Sequence, residues 1–192
     1  IDTLVVEELT VLGRDDGVAQ QRERHAAVVF RGFRVVEDRR HLLQVPGAIE
    51  EGDLAEGLAG ELRARAVPMH GIGHQMHAKL DHPSAAAVDE TLAAFAALGL
   101  DNEITELDMT LGPPTTDGAD AALIARQAER YADLFRVFVR RPDVKAVTFW
   151  GVSDAHTWLN MKRDPARPDR PLLFDAGQRP KPAYHAVAAI AR

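Results

Sequence analysis

From residue 50 onward, stretches of helical period alternate with short β-branched or aromatic runs, joined by brief loops. Leu54, Leu58 and Leu62 recur at i, i+4, i+8 across 50–66, so that segment reads as an amphipathic helix. Residues 69–77 read as a strand interrupted by Gly71 and Gly73. A helix over 84–98 follows, with Ser84 as N-cap and Gly99 as its stop. Residues 103–109 form the next strand, 118–140 a long helix and 144–151 a further strand. A proline-studded loop at 164–171 precedes a closing helix over 182–191. Strand, helix, strand, helix with short loops implies an α/β fold of parallel strands covered by helices.

The first third is less regular. Leu4-Val5-Val6 begins a strand that closes on Glu7 and Glu8, and Asp15-Asp16-Gly17 signals a turn. Residues 18–33 carry good helix formers and read as a helix; 42–45 has the composition of a strand. No segment resembles a linker and no fixed-period repeat occurs, so residues 1–192 are expected to form a single domain.

Composition narrows the function. With 46% hydrophobic and 27% charged residues the chain is ordinary for a globular domain, and no apolar run approaches the roughly 20 residues of a membrane span. The net charge is −6, from 23 basic and 29 acidic residues, which repels a nucleic acid. The absence of cysteine removes thiolate metal sites, disulfides and a cysteine nucleophile. Ile1-Asp2 opens the chain without a charged or apolar leader region; a start without Met suggests a processed or truncated chain.

Three stretches carry polar chemistry. In Thr105-Glu106-Leu107-Asp108, strand alternation sends Glu106 and Asp108 to one face and Leu107 to the other. Two carboxylates at the carboxyl end of a parallel strand, where α/β folds bind ligands, repel unless cations, hydrogen bonds or burial compensate. The competing reading is a pair of solvated acids at a strand-to-loop junction. In Gly71-Ile72-Gly73-His74-Gln75-Met76-His77, alternation groups Gly73, Gln75 and His77 and puts His74 opposite. His70, His74, His77 and His82, with Asp108, suggest a metal site, but strand geometry separates His74 from His77. Finally Trp150-Gly151-Val152-Ser153-Asp154, with His156 and Trp158, holds both tryptophans of the chain. They read either as core or as a stacking platform for sugar rings.

Taken in order, these three motifs resemble glycoside hydrolase family 10, the retaining endo-β-1,4-xylanases. Pro171-Leu172-Leu173-Phe174-Asp175 and Lys181-Pro182-Ala183-Tyr184 extend the likeness, which covers roughly residues 60–192. The resemblance implies a (β/α)₈ TIM barrel of which this chain covers about strands four to eight, its motifs matching strands six, seven and eight. It implies Glu106 as nucleophile, His77 hydrogen-bonded to it, and Asp108 holding His77. Gln75, Trp150 and Trp158 would line the sugar subsites, the substrate would be xylan or xylo-oligosaccharides, and no cofactor or metal would be needed. The family habit of secretion implies an extracellular location.

Residues 1–60 depart from the family pattern. The family's acid/base Glu ends a strand reading Trp-Asp-Val-Val-Asn-Glu-Ala. Val5-Val6-Glu7-Glu8-Leu9 is the nearest match, which assigns the acid/base to Glu8 and sets Glu7 where a sugar-binding Asn belongs. Divergence or a shifted reading frame would both give such a segment. Three functions stay open: a retaining xylanase, a remnant that binds xylo-oligosaccharide without turnover, and a metal-dependent barrel hydrolase using His70, His74, His77 and Asp108.

Overall fold

The computed structural model describes residues 4–9, 25–30, 42–46, 52–112, 120–161 and 168–191, with side chains from residue 57 onward. Strands β1 (Leu4–Leu9) and β2 (His25–Phe30) pair antiparallel as a two-stranded sheet, with Glu7 opposite Ala27 and Glu8 opposite Ala26. The helix expected over 18–33 is therefore replaced, within its described part, by a strand. Val28-Val29-Phe30 is β-branched and aromatic, and pairing with the valine-rich Leu4-Val5-Val6 overrides the helix formers around it. The turn expected at Asp15-Asp16-Gly17, the side chains of Glu7, Glu8 and Leu54, and residues 164–167 of the proline-studded loop lie outside the described residues.

The second sheet is parallel and follows the expected alternation. It runs β3 (Leu42–Pro46), β4 (Gly71–Lys79), β5 (Asp101–Thr110) and β6 (Val144–Phe149), each strand beside its neighbour in sequence. Helices α1 (Gly52–Ala64), α2 (Ala85–Ala97) and α3 (Asp120–Arg140) connect them, and α4 (Pro182–Ile190) closes the described chain. Connections of this kind are what parallel pairing requires.

Local chemistry sets the helix ends. The Ser84 hydroxyl accepts the Ala87 amide at 3.1 Å, satisfying one of the first-turn donors of α2. Gly99 follows at φ 72°, a left-handed conformation that ends a helix readily only at glycine. In α3 the buried residues Gln127, Ala128, Tyr131, Leu134, Phe135 and Phe138 repeat at three- and four-residue steps, one continuous face. That face packs on β5 and β6: Phe135 stacks on Phe149 with ring centroids 5.9 Å apart, and Tyr131 lies 5.8 Å from the same ring. Val88 and Leu92 of α2 and Ala183 and Val187 of α4 join this core with Ile104, Leu107 and Met109. Each of the valine, leucine, isoleucine, methionine and phenylalanine side chains among them contributes about 1.5–3 kcal/mol of burial.

Polar groups inside this core fasten the loop after β6. Gln127 donates to the carbonyls of Met109 (2.9 Å) and Arg170 (2.8 Å), and the Tyr131 hydroxyl donates to the Pro171 carbonyl at 2.7 Å. Lys181 and Asp154, both nearly fully buried, form an ion pair at 3.0 Å. Asp154 also accepts the Leu172 amide, while Lys181 donates to the Arg170 carbonyl. The loop that carries both tryptophans is thus held against the carboxyl ends of β5 and β6.

Candidate active site

Strand β5 runs one residue longer than both of its neighbours where the site forms. Gln75 is in register with Thr105 and His77 with Asp108, so two steps along β4 match three along β5. On the other side Val147 matches Ile104 and Phe149 matches Leu107, again two steps against three. The extra residue is Glu106, at φ 57°. A bulge of this kind reverses which face the following side chains take. Before it, Asn102 reaches the helix layer, donating to the Leu92 carbonyl of α2 at 3.0 Å. After it, Asp108 shares the opposite face with His77.

Three polar side chains meet there. The His77 Nδ1 lies 3.0 Å from Asp108 Oδ1 and its Nε2 lies 3.2 Å from Glu106 Oε2. Carboxylates only accept, so an imidazole serving both must donate from both nitrogens, which makes it an imidazolium. Burial opposes that charge, but the hydrogen bond and charge of Asp108, then those of Glu106, outweigh it and raise the His77 pKa above its ordinary value. Asp108 is 1% exposed, whereas Glu106 stays open enough for a ligand to reach it. The two acids therefore converge through a histidine, with a bulge between them and the start of their strand. Simple alternation, as expected from the sequence, accounts only for the residues after the bulge.

Trp158 completes the group. Its indole N–H donates to Asp108 Oδ2 at 2.7 Å and its ring lies 5.0 Å from that of His77, tilted by 59°. Trp150 follows β6 directly and is half-buried, with its amide bonded to the Leu107 carbonyl at 3.0 Å. The turn beyond it depends on Gly151 at φ 129°, where an added Cβ would stand 2.9 Å from Leu172 Cδ1. Gln75, half-buried on β4 two residues before His77, shares its face.

The other expected residues lie elsewhere. His74 is buried on the opposite face of β4, its Nε2 2.7 Å from Asn102 Oδ1 and its ring 5.3 Å from that of Phe95. Among the described residues no group of three or more histidines and acids is placed to hold a metal ion. Glu7 and Glu8 lie on β1, in an antiparallel pair that packs through β2 beside β6 without pairing into the parallel sheet. The sequence reading missed the indole-to-Asp108 bond and the polar partner of His74. The partners are 50 and 28 residues apart in sequence, so no local pattern announces either bond.

The arrangement offers a solvent-reachable carboxylate hydrogen-bonded to an imidazole that a buried second carboxylate holds, with aromatic surface beside it. The family model of glycosyl hydrolase family 10 matches residues 53–190. The endo-1,4-beta-xylanase A of Halalkalibacterium halodurans is 40% identical over 139 residues, which are 66% of this chain and 35% of that protein. The chain thus spans about a third of the length of this relative. Among solved structures, the Thermobacillus composti GH10 xylanase superposes with a TM-score of 0.72 at 36% identity, covering 80% of this chain and 53% of that one. Xylanase 10B from Thermotoga petrophila RKU-1, solved in complex with xylobiose, gives 0.70 at 29% identity, covering 78% and 45%.

Proposed function

The chain belongs to glycosyl hydrolase family 10, its parallel β/α sheet being a portion of a (β/α)₈ barrel, and from that membership we propose that it hydrolyses internal β-1,4-xylosidic bonds in xylan with retention of configuration. The observation that carries this reading is the Glu106–His77–Asp108 chain of hydrogen bonds at the carboxyl ends of β4 and β5. A nucleophile must stay ionised and aimed, and an imidazolium on one carboxylate oxygen serves both needs while leaving the other oxygen for attack.

In this mechanism the free oxygen of Glu106 attacks the anomeric carbon as the glycosidic C–O bond breaks. The leaving oxygen takes a proton from an acid on the opposite side, which we assign to Glu8 on family pattern. The resulting glycosyl ester is cleaved by water that gives its proton back to that acid, releasing the β-anomer and the Glu106 carboxylate. Retention requires the two carboxyls about 5–5.5 Å apart. Gln75, Trp150, Trp158 and Glu7 are assigned to the sugar subsites: flat aromatic and hydrogen-bonding groups suit a neutral polysaccharide, and a net charge of −6 does not oppose it. Residues 1–192 are read as one partial catalytic domain whose first 60 residues diverge. An extracellular location is assigned on the family habit of secretion.

One observation favours a second reading. Glu8 belongs to the antiparallel β1–β2 pair and not to the sheet that carries Glu106, which supports a protein that binds xylo-oligosaccharide without turning it over. Assaying the chain on aryl xylosides and xylo-oligosaccharides beside Glu106→Gln and Glu8→Gln decides between them. Release of the β-anomer, lost in both variants, supports hydrolysis with the assignments above. Binding by a folded chain without product release supports the second reading.

A further inference from the structure

We propose that Trp158 is a positioning residue: its indole N–H holds the Asp108 carboxylate that orients His77 against Glu106, so the aromatic platform and the nucleophile's hydrogen-bond chain are one mechanical unit. The role assigned to Glu106 rests on the reading above; the coupling itself rests on geometry.

Asp108 is almost completely buried, and each of its oxygens accepts one donor, His77 Nδ1 at 3.0 Å and Trp158 Nε1 at 2.7 Å. Without either, a buried carboxylate oxygen would be left unpaired. Trp158 meanwhile is 45% exposed, so its polar edge points inward while much of its ring faces solvent, where a sugar ring can stack. A side chain merely available for stacking needs no inward bond of this length.

The backbone around Trp158 is anchored to the same strand. Trp158 opens a short 3₁₀ turn, Trp158–Asn160, in which the Thr157 hydroxyl accepts the Leu159 amide. The Asn160 side chain bonds Asp169 in both directions, donating to its carbonyl at 3.2 Å and accepting its amide at 2.7 Å. The Asp169 carboxylate in turn accepts the Leu111 amide at 3.0 Å and the Thr110 hydroxyl, at the end of β5. Asp108, Trp158, Asn160 and Asp169 thus form a circuit that begins and ends on β5, and His77 joins Glu106 to it.

Among the described residues, the charged groups facing His77 are Asp108 and Glu106, both from β5. From α3 the Tyr131 hydroxyl lies near Asp108; burial first, then the charges of Asp108, Asp154 and Asp169, hold its pKa well above the phenol range, so it stays neutral. The indole N–H draws off part of the Asp108 charge. Removing it leaves that charge to His77 alone and tightens the imidazolium.

Trp158→Phe keeps a stacking ring and deletes the donor. Its test is an NMR titration of the His77 imidazole, assigned by the signal missing in His77→Gln, which needs no turnover and so stands apart from the assay above. The His77 pKa is expected to rise by about half a unit or more. Where the chain turns over an aryl xyloside, kcat falls about tenfold with KM little changed, the rate equivalent of one charged hydrogen bond. An unchanged or lowered His77 pKa in a folded variant overturns the proposal. Should the variant not fold, hydrogen exchange of the Trp158 indole N–H in the unaltered chain decides. Protection despite the exposed ring supports the bond, and exchange at the rate of free indole overturns it.

Discussion

Asp108 lies in register with His77 because Glu106 is an additional residue in β5, without a counterpart in β4 or β6. Were Glu106 paired as a regular strand residue, Asp108 would continue the face of Asn102 and Ile104 and point into the helix layer, away from His77. The extra residue adopts φ 57°, a conformation that costs an L-residue about 1–2 kcal/mol. The residue read as the nucleophile is therefore also the one that bears the strain of assembling its own site.

This strain has a measurable consequence. In an ordinary strand Gly is less stable than Ala by about 0.5–1 kcal/mol. At position 106 the order should invert, with Glu106→Gly more stable than Glu106→Ala by about 1 kcal/mol. Both remove the carboxylate, so urea unfolding of the pair isolates the backbone. Equal stability, or Ala above Gly, would show that φ at 106 carries no strain.

The bulge also marks where the sequence stops being legible. The helices, the Ser84 cap, the Gly99 stop and strands β4 to β6 were readable because their signals are local: a hydroxyl, a glycine, a period of 3.6 or 2. Nothing local announces a bulge at Glu106, since a left-handed position normally advertises itself through glycine or asparagine. Residues 25–30 failed for a related reason: a six-residue strand is decided by its pairing with β1, and helix formers nearby outvote it in any window. The convergence of Glu106 and Asp108 was anticipated, but its cause was not. Neither the Asp154–Lys181 pair nor the His74–Asn102 bond could be foreseen, because their partners are 27 and 28 residues apart in sequence and no local pattern links them.

The Asp154–Lys181 pair should behave as an all-or-nothing clasp. Burial pushes the Asp154 pKa up and the Lys181 pKa down, each opposed by attraction to the other. Asp154→Ala strands a buried ammonium and should cost about 3–5 kcal/mol. Asp154→Leu combined with Lys181→Met removes both charges and should be more stable than either single variant, although the Leu172 amide loses its acceptor. A double variant no better than the singles would mean the charges are not what holds the loop.

Gly151 is a second position where backbone and packing agree. A Cβ there would sit 2.9 Å from Leu172 Cδ1, the end of a fully buried side chain that would have to shift, and φ 129° strains any L-residue whatever the space. Gly151→Ala should cost about 1–3 kcal/mol. In a chain of this size that lowers Tm by several degrees. Calorimetry checks it; an unchanged Tm would show that the turn after Trp150 tolerates a side chain.

His74 and His77 should pull stability in opposite directions from a common pH. His74 Nε2 donates to Asn102, which leaves Nδ1 bare and buried without a partner. Burial is the main cause of its lowered pKa, about 4, and the bond to Asn102 only partly offsets it. The unfolded chain then binds more protons than the folded one between about pH 6.5 and 4. Stability contributed by neutral His74 is complete above 6.5 and lost as pH falls, by about 3 kcal/mol in total. His77 has the reverse sign: its folded pKa is raised, so its contribution is complete below 6.5 and lost as pH climbs through the folded value. Subtracting the unfolding free energy of His74→Gln from that of the unaltered chain should leave a difference that shrinks on the acid side only. The same subtraction with His77→Gln should leave one that shrinks on the alkaline side only. Glutamine cannot titrate, so parallel pH profiles in either comparison would mean that the histidine in question is not perturbed as its surroundings require.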